Sequence, residues 1–170
     1  MQVRTLGNSD LKITPVGYGA WAIGGSGWQF AWGPQDDNDS ISAIHRSLEL
    51  GVNWIDTAAV YGLGHSEEVV GRALKSWRGP RPYVFTKCVR RLDESGQLRT
   101  ILKSASIREE VESSLRRMGV DVIDLYQIHR PDWATDLDET LGALTDLQPA
   151  GKTRYFGILT FPAHSIVEGQ

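Results

Sequence analysis

Hydrophobic and polar positions follow two alternating rhythms along this chain. Short apolar runs at 15–23 (PVGYGAWAI), 52–56 (VNWID), 82–87 (PYVFTK), 122–129 (VIDLYQIH) and 153–159 (TRYFGIL) have the length and the β-branched and aromatic content of buried strands. Between them, apolar residues recur at helical spacing. Ile41, Ile44, His45 and Leu48 share one face, as do Val70, Ala73, Leu74 and Trp77. Ile107, Val111, Leu115 and Met118 make a third stripe, and Leu137, Leu141 and Leu144 a fourth. Gly51, Gly119 and Gly151 follow the first, third and fourth stripes, where a left-handed residue ends a helix. Ser66 is expected to N-cap the second helix, with Glu67 and Glu68 against its positive end. A last helical segment is expected to begin in FPAHSIVEGQ, and ahead of all this VRTLGNSDLKITPV turns back around Gly7-Asn8-Ser9-Asp10 as a small hairpin.

A β-α rhythm repeating at intervals of about 30–40 residues predicts a parallel sheet with crossover helices. The expected organisation is one domain over 1–170, a hairpin at 1–15 followed by βα units at 16–170. Two α/β architectures compete. A dinucleotide-binding sheet needs a glycine triplet between its first strand and helix, but Phe30 stands where the third glycine after Gly25 and Gly27 belongs. The first helical stripe also starts too far on for its N-terminus to cradle a pyrophosphate. Gly151-Lys152-Thr153 likewise fails as a phosphate loop, because Asp146 takes the first glycine position and a strand follows. A (β/α) barrel is left as the expectation.

In a barrel the C-terminal strand ends meet on one face, and three of the predicted strands end on ionisable residues: Asp56, Lys87 and His129. Taken singly, Asp56 reads equally well as a loop cap, Lys87 as a surface residue and His129 as a core histidine. Three such groups in register need one another as partners, since an unpaired buried charge is costly. Tyr61 lies one short loop beyond Asp56, close enough to fold back over it. A phenol with an ordinary pKa near 10 donates poorly at neutral pH, and a neighbouring ammonium held by a carboxylate would ease its ionisation. The chemistry implied is proton donation to a developing alkoxide, with a histidine orienting the oxygen.

Composition narrows the partners. The net charge of -3 gives no basic footprint for nucleic acid. No run approaches the roughly 18 apolar residues of a membrane span. Cys88 is the only cysteine, so no internal disulfide is possible and a reducing, cytoplasmic setting is expected.

The segments NWIDTAAVYGLGHSEEVVGRAL, VFTKC, DVIDLYQIHRPD and AGKTRYFGI, with the opening VRTLGNSDLKITPVGYGAW, resemble the aldo-keto reductases in order and spacing. The insertion around Trp28 and Trp32 is similar to the branch of bacterial general stress reductases and potassium-channel β-subunits. The resemblance covers essentially the whole chain. It implies an α/β fold of the (β/α)8 TIM-barrel type, here an incomplete barrel of five βα units after the hairpin. It also implies reduction of an aldehyde or ketone by NADPH, with NAD possible. Tyr61 would be the general acid, Lys87 and Asp56 its tuning pair, and His129 would position the substrate carbonyl. Gly19, Ala20, Trp21 and Asp56 would lie against the nicotinamide ribose, and Trp21, Trp28 and more remotely Trp32 would wall the substrate. No metal is implied. The family's Ser-Asn or Ser-Thr pair after the fifth strand is Leu159-Thr160 here, so Thr160 alone would contact the nicotinamide amide.

A full barrel takes ~250 residues, and the family grips the adenosine phosphates from loops near its end. The chain is therefore expected to be a truncated or split reductase, binding NADPH weakly alone and stable through self-association or a complementing C-terminal fragment. Two other classes stay open at this level: a non-catalytic regulatory module like the channel β-subunits, and a metal-dependent barrel hydrolase, which GYGAW disfavours because it has no histidines.

Overall fold

The structure is a computed structural model, and it describes residues 1–93 and 95–161. The helical segment expected after the fifth strand, with His164, lies outside the described residues. The opening hairpin is present, β1 (Arg4–Thr5) pairing antiparallel with β2 (Lys12–Ile13). There follow β3 (Tyr18–Gly19), α1 (Asp37–Glu49), β4 (Trp54–Asp56), α2 (His65–Ser76) and β5 (Tyr83–Cys88). A second hairpin, β6 (Arg90–Leu92) and β7 (Leu98–Thr100), precedes α3 (Ser104–Met118), β8 (Ile123–Ile128), α4 (Leu137–Leu147) and β9 (Thr153–Ile158).

All five expected strands join one parallel sheet in the order β3-β4-β5-β8-β9. Each new strand is laid beside the previous one, which is the winding of a barrel; a doubly wound sheet would reverse direction at a switch point. Among the described residues β3 and β9 each have a single sheet neighbour, so the sheet is a partial barrel. The four helices pack in sequence along its outer face. Ile55 joins Ile44 and Leu48 of α1 and Val69, Val70 and Ala73 of α2 in one core. Val84, Cys88, Tyr126 and Ile128 join Ile107, Val111 and Met118 of α3 and Leu144 of α4 in another. The stripes predicted for α1, α2 and α3 face these cores, but in α4 the buried face is Thr140, Ala143, Leu144 and Leu147, so of the expected stripe of Leu137, Leu141 and Leu144 only Leu144 is buried. The glycine stops are also as expected, with positive φ at Gly51, Gly119 and Gly151.

Two local expectations need correction. Ser66 does not cap α2; Gly64 holds that position and Ser66 lies inside the first turn, fully buried, its hydroxyl donating to Ala20 O at 2.8 Å. The hydroxyl has a stronger use in joining the helix to β3 than in capping. The β6–β7 hairpin was not expected, because RRLDESGQLRT is polar throughout with only Leu92 and Leu98 apolar. Its pairing instead rests on Asp93, whose carboxylate accepts from Ser95, Gln97 and Arg99 across the turn.

The first hairpin closes the N-terminal end of the sheet. Asn53 and Trp54 reach it through Asn53 Nδ2 to Lys12 O at 2.7 Å and Trp54 Nε1 to Thr14 O at 2.9 Å. On the outer face, α2 and α3 approach most closely at Gly71. A β-carbon there would lie 2.7 Å from Arg117 O and 2.8 Å from Met118 O, both backbone atoms. Gly71→Ala therefore sets two effects against each other: better helix propensity by about 1 kcal/mol and overpacking against a rigid carbonyl, costing about 1–3 kcal/mol. The steric term wins because a carbonyl cannot swing aside. Urea denaturation should show a net loss of roughly 1 kcal/mol or more; a gain in stability would mean that the helices separate freely.

Candidate active site

The inner face of the sheet divides into an apolar floor and a polar rim. Trp54, Phe85 and Leu125 line a cavity of about 420 Å³ with Leu6 and Ile13 of the first hairpin, and Asp56 and Gln127 edge it at the C-terminal strand ends. Period-two alternation puts Phe85 and Lys87 on this face, while Val84, Thr86 and Cys88 turn to the helices. Lys87 pairs in register with Gln127, and Gly19 with Asp56.

Lys87 is only 5% exposed and spends its ammonium inside the site. It donates to Asp56 Oδ1 in a short contact and to Thr57 O at 2.7 Å. The other Asp56 oxygen accepts from Gln127 Nε2 at 3.1 Å. Burial draws the Lys87 pKa downward; the Asp56 charge, its hydrogen bond and the charge of Glu67 oppose this without reversing it. Behind the pair runs a buried polar lattice. Glu67 accepts from Thr86 Oγ1 and from Arg117 Nε, each at 2.6 Å, and Thr57 Oγ1 meets Ser66 Oγ at 2.8 Å. Ala20 N donates to Asp56 O at 2.8 Å, tying β3 to the same point.

Tyr61 reaches this rim from a short 3-10 turn whose next residue is locked. A β-carbon on Gly62 would lie 2.1 Å from Gly24 O, and Gly62 has φ 60°, so glycine alone lets the tyrosine loop sit against the turn after β3. The ring is 7% exposed. Lys87 Nζ stands 5.0 Å from its centroid, and the His129 ring meets it edge-on at 5.8 Å. Trp21 stacks on Tyr61 at 5.3 Å and Trp28 leans on it at 6.0 Å. Their indoles are anchored by Phe30 O and Gly25 O, at 3.0 and 3.1 Å. Trp32 is 79% exposed and stacks on Trp21, touching the site only through it. Leu98 of the β6–β7 hairpin packs against the small cluster that Tyr61 forms with Ala58 and Val60.

Burial and neighbouring charges shift the pKa values of the Tyr61 and His129 rings toward their uncharged forms. Burial, and after it the Asp56 charge, push the Tyr61 phenol up to about 12. Lys87 is not among the causes of this shift; its ammonium bonds Asp56 and Thr57 O. His129 is pushed down to about 3, by burial first and then by the charges of Lys87, Arg90 and Arg130. It is a neutral imidazole at physiological pH, and its Nδ1 is buried without a hydrogen-bond partner among the described residues. Thr160, at φ 61°, donates to His129 O at 3.3 Å, which brings it to the same rim.

Asp56, Tyr61, Lys87 and His129 therefore converge, with Gly19, Ala20 and Trp21 beside Asp56, Trp28 on Tyr61 and Thr160 behind His129. Gln127 and Glu67 were not anticipated. Gln127 could have been found by stepping two residues back from His129 along the strand; Glu67, at the polar start of a helix, gave no signal of its burial. His45 and His65 lie apart from the site, bonded to Ala73 O and Asp37 respectively.

The family model described as Aldo/keto reductase family matches residues 15–168. The chain belongs to the aldo/keto reductase family. It is 40% identical over 162 residues to Aldo-keto reductase YhdN of Bacillus subtilis, covering 95% of this chain and 47% of that protein. It is 38% identical to the NADH-specific methylglyoxal reductase of Escherichia coli, covering 96% and 53%. Among solved structures, the glycerol dehydrogenase AKR11B4 from Gluconobacter oxydans superposes with a TM-score of 0.86 at 40% identity, over 98% of this chain and 50% of that one. An aldo-keto reductase from Klebsiella pneumoniae, solved with NADPH, superposes with a TM-score of 0.76 at 26% identity, over 92% and 49%. The chain thus spans about half the length of the relatives it matches, and its partial sheet corresponds to part of an aldo-keto reductase barrel.

The Tyr61 assignment has a spectroscopic consequence. Subtracting the alkaline absorbance titration of Tyr61→Phe from that of the parent isolates this phenol, and its midpoint should fall near 12. A midpoint at or below the ordinary value of about 10 would mean that the Lys87 ammonium outweighs burial and Asp56.

Proposed function

We propose that this chain carries the catalytic groups of an NAD(P)H-dependent reductase that converts an aldehyde or ketone to an alcohol. The observation that carries the reading is a protonated, desolvated phenol packed between a buried Lys–Asp pair and a neutral histidine. A nicotinamide fits the residues beside it. No heavy atom lies within 4 Å of where a Gly19 β-carbon would stand, leaving open space against the backbone next to Asp56. Trp21 offers an aromatic face, and Thr160 a hydroxyl near His129. When bound, the reduced nicotinamide supplies the hydride for the carbonyl carbon.

The chain's own residues do the rest. Neutral His129 donates a hydrogen bond to the carbonyl oxygen and fixes its direction; an imidazolium there would carry an unneeded charge beside Lys87. As negative charge grows on that oxygen, Tyr61 transfers its proton to it and the alcohol forms. A phenol near 12 retains its proton in the resting site and releases it only to a strongly basic alkoxide. The resulting phenolate is met by the Lys87 ammonium, which Asp56, Gln127 and Thr57 O hold in place, until solvent returns the proton. Trp21, Trp28 and Leu98 keep water from the ring and shape an apolar wall for the substrate. We assign no preference between NAD and NADP.

Tyr61→Phe should lower carbonyl reduction by about 10²–10⁴-fold while leaving NADPH affinity within a small factor. Near-normal reduction of an aromatic aldehyde by this variant would sink the assignment. Lys87→Met should fall steeply as well, and Lys87→Arg should not restore activity, because a planar fork cannot replace an ammonium between Asp56 Oδ1 and Thr57 O. Retained activity in Lys87→Met with an unchanged pH profile would break the proposed coupling.

We also propose that the 170-residue chain taken alone associates with itself or with a complementing segment. The support is the open inner floor of Trp54, Phe85 and Leu125, together with β3 and β9, which each have one sheet neighbour among the described residues. Light scattering should report a species heavier than 18.9 kDa, and a fluorescence titration should give weak NADPH binding. A monodisperse monomer binding NADPH at micromolar affinity would overturn this.

A further inference from the structure

An apolar recess of about 170 Å³ lies between the loop after β3 and the β6–β7 hairpin. Trp28, Val60, Leu63, Leu92 and Leu98 line it, with Gln29 as its one polar side chain and no ionisable residue. Two of these residues tie it to the reaction site. Val60 immediately precedes Tyr61 and is buried in one cluster with it, against which Trp28 and Leu98 both pack. The Trp28 ring lies 6.0 Å from that of Tyr61, so the recess and the phenol share Trp28 as a wall.

The hairpin's composition points to the same place. Over residues 90–100 Leu92 and Leu98 are its only apolar side chains, they pair across the strands, and both line the recess. Leu98 is used on the Tyr61 cluster, yet Leu92 remains 47% exposed. Leu63 adds a second half-exposed wall at φ 54°, a left-handed conformation that a bulky side chain adopts only at a cost. Packing within the chain does not repay that cost, because water still reaches half of the side chain. Nor do the turns fill the space. Among the described residues no heavy atom lies within 4 Å of where a β-carbon on Gly27 or Gly96 would stand. Apolar side chains around an unfilled space forgo contacts that an apolar ligand would supply.

We propose that this recess binds the apolar substituent of the substrate, and that the carbonyl compounds reduced at Tyr61 carry a phenyl or similarly sized apolar group a few carbons from the carbonyl. The volume suits such a group, since an enclosed apolar cavity of roughly 150 Å³ holds a benzene ring. A charged or hydroxyl-rich substituent would meet no ionisable partner there and only one amide. The Gly19–Trp21 backbone proposed for the nicotinamide takes no part in the lining. The identity of the occupant rests on the reading of Tyr61 as the proton donor, whereas binding of the ring does not, and both are measured without turnover.

The isotope-labelled 170-residue chain is titrated with 3-phenylpropan-1-ol, the alcohol formed by reducing a phenyl-bearing aldehyde, and followed by NMR with glycerol as a polar control. The Trp28 indole N–H, which donates to Gly25 O at 3.1 Å, is assigned by its loss in Trp28→Phe. It should shift saturably with the phenyl compound and stay in place with glycerol. Nuclear Overhauser contacts should join the phenyl protons to the Leu92 and Leu98 methyls, and the hydroxymethylene protons to the Tyr61 ring. Leu92→Thr and Leu63→Asn should each weaken binding about fivefold, the worth of roughly half a leucine's burial. Neither change threatens the fold, because threonine suits a strand and asparagine accepts a left-handed conformation better than leucine. Tyr61→Phe should bind as the parent does, so loss of reduction in that variant and loss of the recess are separate results. No saturable shift, an equal shift with glycerol, or unchanged affinity in either leucine variant overturns the proposal. Contacts from the phenyl protons to Leu92 and Leu98 with none from the hydroxymethylene protons to Tyr61 overturn it too, by giving the recess to a ligand other than the substrate.

Discussion

Lys87 and Asp56 impose the strictest condition on this structure. An ammonium only 5% exposed needs a counter-charge and hydrogen-bond acceptors to stay charged, since removing it from water costs several kcal/mol. It is met by Asp56 Oδ1 and Thr57 O, and Asp56 is itself completed by Gln127. Those partners sit on or just beyond β4, β5 and β8, so the pair is satisfied only when three strands are staggered correctly. A one-residue slip in any of them would turn its polar residue to the helices and leave a buried charge alone. The pair therefore fixes register as much as it contributes stability. A buried ion pair adds little net stability over an apolar pair of the same shape, so setting register is the part of its role that the strands make visible.

Burial governs all three titrating partners in the same direction, toward their uncharged forms: Tyr61 upward, Lys87 and His129 downward. Only Lys87 has an opposing charge within bonding distance. The result is a site with one fixed ion pair and two uncharged groups, Tyr61 and His129, beside it. Trp21 and Trp28 cover the Tyr61 ring, so loops that look dispensable in a strand-by-strand description contribute to the burial behind these shifts.

The sheet and the four converging residues were legible in the sequence for a specific physical reason. Strand cores are apolar, so Asp56, Lys87 and His129 stand out at their ends, and Tyr61 stands out by its distance from Asp56. Gln127 did not, because an uncharged amide within a strand signals nothing until its partner is known. Ser66 and Glu67 misled for a related reason. At the start of a helix, serine and glutamate have a local use, and only the tertiary packing reveals that Ser66 bonds Ala20 O and Glu67 bonds Thr86 and Arg117. The β6–β7 hairpin escaped because it is held by side-chain bonds to Asp93 in place of an apolar face.

Glu67 also explains why α2 belongs to the site although none of its residues enters it. Its carboxylate is fully buried, and it reaches across to Thr86, the outward neighbour of Lys87 on β5, and to Arg117 on α3. Ser66, one residue earlier, bonds Ala20 O while meeting the Thr57 hydroxyl. The first turn of α2 thus fastens the C-terminal ends of β3, β4 and β5 from behind. The Gly62–Gly24 contact sets the loop that leads into that turn, and Tyr61 is its first residue. A displacement of α2 would move the phenol and the Lys87 strand together. The placement of Tyr61 relative to Lys87 is therefore held by the helix layer and by the strands at once.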